Sequence, residues 1–235
     1  MQTNVDRRYE GAWCDLAVGL CEAGAILTPE SDHPLVVGRR RGRRAERGFV
    51  LPGGGFSPYY FDFRTSDHPT KPGPLTPEIV ELAARCLQYV ELRECRRRCE
   101  AIAGVPFAGN PFAKALADIS GSDVEPITLD KTPTPHIASL RRRIPSRVRR
   151  VLVVENVVTG AGSALRSIDV LRKVRLEVVD CIALADHERG GYERLLGCGC
   201  ELHSVFAASQ LFQFLSSAKK IRWRTNERIQ HYIRR

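Results

Sequence analysis

The segment VLVVENVVTGAGSALRS, residues 151–167, decides how this chain is interpreted. Its first four residues are aliphatic, as is typical of a central strand buried on both faces of a parallel sheet. Glu155 and Asn156 follow and are expected at the carboxyl end of that strand. Ligands of open parallel sheets bind at this edge, so the segment predicts a binding site.

The small residues after this strand suit a bound phosphate. They are Thr159, Gly160, Ala161, Gly162 and Ser163. A helical pattern begins here, and the first N–H groups of a helix have no partner within it, so they can encircle an anion with help from the two hydroxyls. Glu155 and Asn156 can hydrogen-bond to sugar hydroxyls. The pattern therefore predicts a ribose-phosphate cradle; the alternative is a tight turn that needs its glycines only for geometry.

The flanking sequence alternates between strand and helix patterns. We expect strands at 101–105, 124–129, 150–155, 177–184 and 200–206, and helices at 110–119, 162–173, 188–196 and 208–217. The Pro-rich basic stretch 130–149 is the longest candidate loop. This alternation predicts an α/β fold with a parallel sheet covered by helices on both faces.

Other elements precede and follow this core. We expect a helix over 11–27, a hairpin around Gly53-Gly54-Gly55, a helix from Thr76 to about Arg98, and a basic helix over 218–235 that is docked or frayed. Six arginines occur between Arg39 and Arg47. They are interpreted as a solvated, mobile insertion, with a nucleic-acid- or phosphate-contacting arm as the sharper alternative.

Composition narrows the class of protein. The 235 residues are 43% hydrophobic and 27% charged, with 36 Lys and Arg against 27 Asp and Glu, for a net charge of +9. No apolar run reaches 18 residues and no secretory signal pattern is present, so we expect no membrane span and a cytoplasmic location. The positive charge favours an anionic partner, either a phosphorylated small molecule or nucleic acid.

Eight cysteines are scattered along the chain. They are most simply reduced thiols, several of them buried. A zinc site built from Cys95, Cys99, Cys198 and Cys200 is conceivable, but their spacing matches no strong template, so no metal ligand is assigned.

The cradle segment resembles the signature of type I phosphoribosyltransferases, which bind phosphoribosyl pyrophosphate (PRPP), and the orotate phosphoribosyltransferases in particular. Four further segments resemble that family in the same order, across residues 48–217. They are FVLPGGGFSPYYFDFR (the hood), IAGVPFAGNPFAKALA (the pyrophosphate loop), LDKTPTPHIA (the mobile catalytic loop) and ALADHERGGYERL. The resemblance implies a type I phosphoribosyltransferase-like parallel sheet flanked by helices, with a small hood formed early in the chain.

The resemblance also implies roles for particular residues. PRPP is expected at Glu155, Asn156, Val157, Val158 and the loop 159–163. The base is expected at Tyr60, Phe61, Thr159 and His187. Lys131 and His136 are the implied catalytic residues, which in this family usually close over the pyrophosphate across a dimer interface. Mg²⁺ is expected with PRPP; Ser57 and Tyr59 read more simply as hairpin and packing residues.

Several positions depart from the family pattern. Asn156 stands where a second acid is usual, and Ala161 where a glycine is usual. Pro52, Ala108, Asp130 and Thr134 stand where cations are usual, and His187 where an arginine contacts the orotate carboxylate. Each charge-assisted bond lost costs about 1.5–3 kcal/mol, so these changes together would weaken substrate binding by orders of magnitude. Two arrangements would be compatible with activity despite these losses. Arginines from 39–47 or 141–150 would restore the charge if they folded over the site; alternatively, the acceptor is a base without a carboxylate.

The sequence therefore leaves three functions open. The first is an orotate-type phosphoribosyltransferase of pyrimidine nucleotide biosynthesis, acting as a homodimer or as a dimer with a paralogue. The second is a catalytically impaired relative that acts as a regulatory or structural nucleotide-binding protein. The third and weakest is a nucleic-acid-binding regulator. Three parts are expected: 1–75 with the first helix, basic insertion and hood; 76–217 as the core; and 218–235 as the basic helix.

Overall fold

The computed structural model describes residues 4–41, 44–51, 55–95, 98–131, 138–140 and 143–235. The helices are α1 Asn4–Glu22, α2 Pro77–Glu94, α3 Asn110–Ser120, α4 Gly162–Lys173, α5 Gly191–Gly197, α6 Ala208–Ser217 and α7 Trp223–Ile233. The strands are β1 Ile26–Leu27, β2 Val37–Arg41, β3 Arg44–Val50, β4 Phe56–Ser57, β5 Tyr60–Phe61, β6 Ala101–Gly104, β7 Glu125–Lys131, β8 Ala138–Leu140, β9 Val151–Val158, β10 Asp180–Asp186 and β11 Glu201–Ala207.

The main sheet has the strand order β11, β10, β9, β6, β7, β8. All neighbouring strands are parallel except β8, which pairs antiparallel with the end of β7. The first four residues of β9 are at most 3% exposed, because β10 and β6 flank the strand and helices cover both faces. The predicted α/β fold with a buried central strand at 151–154 is confirmed.

Two apolar cores lie on opposite faces of this sheet. Side chains alternate along each strand, so Leu152 and Val154 enter the first core, with α1, α2, α3, α6 and α7, whereas Val151 and Val153 enter the second core, with α4. The two cores fix the height and angle of the strand ends, and so they fix the position of the loops that follow.

The helix predictions agree well with the structure. α4 and α6 have the predicted bounds, and α2 begins after Thr76 with Pro77 in its first turn and Glu78 near its positive end. α2 ends at Glu94, four residues before the predicted end, and α1 begins seven residues earlier than predicted. α7 is docked, since Ile229 is fully buried in the first core, whereas Trp223 is 60% exposed.

The arginine-rich segment contains regular structure. Its described residues form the hairpin of β2 and β3, which continues into β4, and most of those before Gly48 are exposed, as expected of a solvated segment. Arg39 forms an ion pair of 3.0 Å with Glu46 across the hairpin, and its guanidinium lies 3.7 Å from the centre of the Phe56 ring. Cross-strand pairs of this kind stabilise a hairpin despite a high density of like charge.

The region predicted as the longest loop, 130–149, also contains regular structure. β8 pairs with β7 so that Leu140 lies opposite Leu129, which is fully buried. Residues 132–137 between these strands lie outside the described part of the chain. A basic, Pro-rich composition hid a short hairpin because edge strands tolerate both features.

The structure does not bring Cys95, Cys99, Cys198 and Cys200 together. Cys95 and Cys99 pack against the first core, whereas Cys198 and Cys200 belong to the second core on the other face of the sheet. All eight cysteines are free thiols. Among the helices that the structure describes, none combines the length and the apolar character that crossing a membrane requires.

Candidate active site

The strand order places a crevice between β6 and β9. From β6 the chain continues through α3 to β7 on one side, and from β9 it continues through α4 to β10 on the other. Because successive connections depart in opposite directions, the loops after these two neighbouring strands leave a gap at their carboxyl ends. Open α/β sheets bind ligands at this kind of switch point.

The loop after β9 forms one wall of the crevice. It passes through Thr159 and Gly160 and enters α4 at Gly162, and no side chain caps the helix. Ala161 has a left-handed conformation, with φ of 54°, and its side chain is buried against the second core. The loop therefore reaches the helix with open N–H groups at its start, as the predicted phosphate cradle requires.

Glu155 and Asn156 emerge where the sequence predicts them. Glu155 is 6% exposed, and its Oε1 accepts a hydrogen bond of 3.1 Å from the Asn156 backbone N–H. The Asn156 side chain turns the other way, and its Nδ2 donates to the Phe63 carbonyl at 3.2 Å. A carboxylate cannot make that second bond, so the amide at this position ties the segment after β5 to the central strand.

Two arginines missed by the sequence interpretation flank the cradle. Arg166 on α4 donates to the Ser163 hydroxyl at 3.3 Å, and Arg194 on α5 donates to the Gly160 carbonyl. The spacing of three residues between Ser163 and Arg166 on a helix could have revealed the first contact. The second joins residues 34 positions apart, so it follows only from the packing of α5 beside the loop.

Two arginines of the 141–150 stretch have partners away from the crevice. Arg150 pairs with Glu100 at 3.1 Å, and Arg147 with Glu125 at 2.9 Å. Glu100 and Glu125 stand at the amino ends of β6 and β7, opposite the crevice. Positive charge near the cradle comes from helices of the core and not from these two residues.

The loop after β6 forms the other wall. Val105 donates its N–H to the Val154 carbonyl at 2.8 Å. A Cβ on Gly109 would lie 2.5 Å from that same carbonyl oxygen, so glycine is required for the loop to pass this close to β9. Ala108, which stands where the family usually has a lysine, is half-buried beside it and supplies no charge.

The segment after β10 is buried against aromatic side chains. His187 is 4% exposed and stacks on Tyr59, with ring centres 4.7 Å apart. Phe61 is 5% exposed and packs on the same imidazole, at 4.9 Å. Among the described residues, Nδ1 of His187 has no hydrogen-bond partner, and burial lowers the pKa of His187 to about 3. The imidazole is therefore neutral and in the core.

The charged neighbours of His187 also point into the protein. The Glu188 carboxylate accepts hydrogen bonds from the Ser209 N–H at 2.6 Å and from the Ser209 hydroxyl at 3.0 Å, at the start of α6. Arg189 donates to the Tyr232 carbonyl at 3.0 Å and lies 4.5 Å from the centre of the Tyr232 ring. This segment attaches α6 and α7 to the sheet.

The predicted base-binding residues thus differ in burial and do not share one surface. Phe61 and His187 lie inside the first core, whereas Tyr60 is half-buried on the other side of β5, 5.9 Å from the Phe49 ring. Thr159 lies in the cradle loop. Ser57 and Tyr59 are fully buried, and the Tyr59 N–H donates to the Ser57 hydroxyl at 3.2 Å, which confirms their interpretation as turn and packing residues.

The predicted catalytic loop is described only in part. Lys131 ends β7, while His136, Thr134 and Pro52 lie outside the described residues. Asp130, just before Lys131, lines a groove together with Lys114 and Arg143. The catalytic assignments of Lys131 and His136 remain predictions.

Comparisons with known proteins give the family. No protein-family model matches the chain. The orotate phosphoribosyltransferase of Bradyrhizobium diazoefficiens is 31% identical over 182 residues, covering 74% of this chain and 92% of the relative. The uridine 5′-monophosphate synthase of Bos taurus is 30% identical over 188 residues, covering 79% of this chain but only 37% of the relative.

Solved structures share the fold. An orotate phosphoribosyltransferase from Aeropyrum pernix superimposes with a TM-score of 0.64 at 25% identity, over 86% of this chain and 98% of that one. A UMP synthase from Leishmania donovani gives 0.70 at 22% identity, over 96% of this chain and 43% of that one. The sheet order and the loop after β9 define a type I phosphoribosyltransferase. Within that class, the chain belongs to the orotate phosphoribosyltransferase family.

Proposed function

We propose that this protein is an orotate-type phosphoribosyltransferase of pyrimidine nucleotide biosynthesis. It transfers ribose 5-phosphate from PRPP to a pyrimidine-like base and releases pyrophosphate. The observation that carries the proposal is the cradle of Glu155 and residues 159–163 at the switch point of the sheet. The relatives named orotate phosphoribosyltransferase support the same reaction.

The cradle assigns a task to each of its parts. The N–H groups at the start of α4, with the hydroxyls of Thr159 and Ser163, hold the 5′-phosphate. Glu155 holds the ribose hydroxyls, and its negative charge stabilises the positive charge that develops on the ribosyl ring as the bond to pyrophosphate breaks. Arg166 and Arg194 add positive charge beside the phosphate.

The oxygen donors of the site fit Mg²⁺. Mg²⁺ is commonly held by one or two carboxylates together with substrate phosphates. Glu155 supplies one carboxylate, and Asn156 stands where a second is usual, so the substrate would supply most of the ligands. When bound, the cation neutralises the charge of the pyrophosphate leaving group.

A second candidate function is supported by specific contacts. The Asn156 amide is already bonded to the Phe63 carbonyl, and His187 is neutral and buried where an arginine is usual. A protein that keeps the cradle but has lost these charges would bind a nucleotide as a regulatory or structural family member. The nucleic-acid alternative is the weakest; of the hairpin arginines, Arg39 is paired with Glu46.

Titration calorimetry tests the first proposal against the second. The purified protein is titrated with PRPP, with and without Mg²⁺, and orotate is then added to the same cell. Mg²⁺-dependent binding at about micromolar Kd, or roughly 8 kcal/mol, followed by turnover supports the transferase. Binding of a nucleoside monophosphate without any response to PRPP would instead support the catalytically impaired relative. A steep salt dependence of RNA binding would support the nucleic-acid-binding regulator.

Three further expectations belong to the same proposal. The protein works in the cytoplasm, as a homodimer or as a dimer with a paralogue, and Lys131 and His136 close over the pyrophosphate of the partner's site. The division into 1–75, 76–217 and 218–235 also remains part of the proposal. Alanine variants of Lys131 and His136 that retain full activity would contradict the loop assignment.

A further inference from the structure

Three metal-ligating side chains converge at the end of the sheet opposite the cradle. Cys95 directly follows the last residue of α2, Asp180 is the first residue of β10, and His203 lies early in β11. The Cys95 Sγ, an Asp180 carboxylate oxygen and a His203 ring nitrogen all lie within 4.8 Å of one another. Nε2 of His203 is 3.0 Å from Oδ1 of Asp180.

The fold creates this cluster from distant parts of the sequence. β10 and β11 are parallel, with Asp180 opposite Glu201 and Ile182 opposite His203. Asp180 and His203 therefore project from the same face of the sheet, which is the face covered by α2. The end of α2 brings Cys95 down onto that pair, although the cysteine is 85 residues from Asp180 and 108 from His203.

The cluster is sheltered from solvent. The side chains of His203 and Asp180 are 9% and 5% exposed, and Cys95 is half-buried. Cys95 and Asp180 line a recess of about 10 Å³, together with Glu91 and Cys99. That volume is close to the space needed by one water-sized occupant. The Cys99 thiol lies 3.6 Å from Oε1 of Glu91, so two more ligand-type groups face the same recess.

The chemistry of the donors selects the cation. A thiolate, an imidazole and a carboxylate together suit a borderline-soft ion such as Zn²⁺, whereas Mg²⁺ and Ca²⁺ prefer oxygen ligands alone. We propose that Cys95, Asp180 and His203 form a zinc site, with a fourth position that opens into the recess. On binding, the cysteine thiol loses its proton to solvent, and the metal replaces the contact between His203 and Asp180.

The proposed site is separate from phosphoribosyl transfer. It lies at the amino ends of β10 and β11, whereas the cradle lies at the carboxyl end of β9. Its consequence is structural, since a bound ion would tie the end of α2 to two strands of the sheet. Its test therefore does not depend on whether the protein turns over PRPP.

Cobalt substitution tests the site directly. The chelator-treated protein is titrated with Co²⁺ and followed by absorption, and Zn²⁺ is then added as a competitor while bound metal is counted by mass spectrometry. We expect one ion per chain, a thiolate-to-cobalt charge-transfer band, and loss of the cobalt signal when Zn²⁺ is added. The Cys95→Ser variant should lose that band, and His203→Gln should weaken binding more than about 100-fold, since even outer residues of metal sites contribute 10- to 100-fold.

Matched variants separate a specific site from incidental thiol binding. Cys14→Ser on α1 and His231→Gln on α7 change the same residue types away from the cluster, and they should bind like the unaltered protein. Thermal unfolding without metal shows whether each variant is folded. If His203→Gln is unfolded, Asp180→Asn serves as the second ligand variant in its place. No charge-transfer band in the unaltered protein, or an unchanged band in Cys95→Ser, would overturn the proposal.

Discussion

The loop after β9 and the segment after β10 leave neighbouring parallel strands at the same edge of the sheet, yet they serve different ends. The first exposes hydroxyls and helix N–H groups and is flanked by Arg166 and Arg194. The second buries His187 against aromatic rings and uses Glu188 to hold α6. A position at the carboxyl edge makes a residue available for ligand binding, but the helices packed beside it decide whether it remains available.

The two regions also differ in how they treat charge. Glu155 places its carboxyl group at the edge of the crevice, although it is only 6% exposed. His187 is neutral because burial strongly disfavours its charged form. If the protein is a transferase, its charge complementarity to PRPP therefore comes from the β9 side, and the β10 side contributes shape and rigidity.

The largest expected effect is on the β9 side. Glu155→Gln should lower kcat/KM for PRPP by about 100- to 1,000-fold, because the charge that stabilises the ribosyl transition state is lost while the shape is kept. Steady-state kinetics of nucleotide formation measures this, with Glu201→Gln at the amino end of β11 as the matched control. Equal activity of both variants would show that Glu155 has no role in the reaction.

On the β10 side we expect an effect of pH on stability. The pKa of His187 is about 3 in the folded protein and about 6.5 when unfolded, so below pH 6.5 only the unfolded chain takes up the proton. The group's full contribution to stability is present above about pH 6.5 and is lost as the pH falls towards 3, by up to about 1.4 kcal/mol per pH unit. His187→Phe should remove this loss.

Denaturant unfolding from pH 7 to pH 4 measures that difference. The free energy of unfolding of His187→Phe should fall less steeply with acid than that of the unaltered protein, whereas His231→Phe on the exposed side of α7 should leave the slope unchanged. Parallel curves for His187→Phe and the unaltered protein would show that the imidazole is protonated in the folded state, and the contrast between the two regions would fail.

A smaller effect is expected at the rim of the cradle. Arg166→Gln should weaken binding of ribose 5-phosphate about tenfold, because one charge-assisted bond of about 1.5 kcal/mol is lost. Calorimetry with ribose 5-phosphate measures it, and Lys173→Gln in the last turn of the same helix is the control. Equal losses of affinity in both variants would show that Arg166 contributes only to the general positive charge of the protein and makes no specific bond to the phosphate.

The smallest effect is expected at Ala161. Glycine would relieve about 1–2 kcal/mol of left-handed strain, but it would lose a buried methyl worth about 0.8 kcal/mol and gain freedom in the unfolded chain. We expect the free energy of unfolding of Ala161→Gly to change by less than about 1 kcal/mol. Ala164→Gly, at a fully buried helical position, should cost more. A large stabilisation by Ala161→Gly would mean that strain dominates this turn.

Much of the fold could be read from patterns. α4 and α6 were predicted with their bounds, and the cradle loop was placed at the end of a buried strand, because these features depend on local periodicity and on residues that suit a turn. The β2–β3 and β7–β8 hairpins do not follow from the sequence, since a run of like charge and a Pro-rich stretch hide the alternating pattern that is typical of strands.

The sequence by itself determined the alternation of strands and helices, the place of the cradle and the family, because each is encoded in contiguous residues. The tertiary structure decided which polar groups are available. His187 is sealed by Tyr59 and Phe61, Asn156 is engaged by the Phe63 carbonyl, Arg194 reaches Gly160, and Cys95 meets Asp180 and His203. Each of these contacts joins residues far apart along the chain, so only the packing of helices on the sheet could establish them.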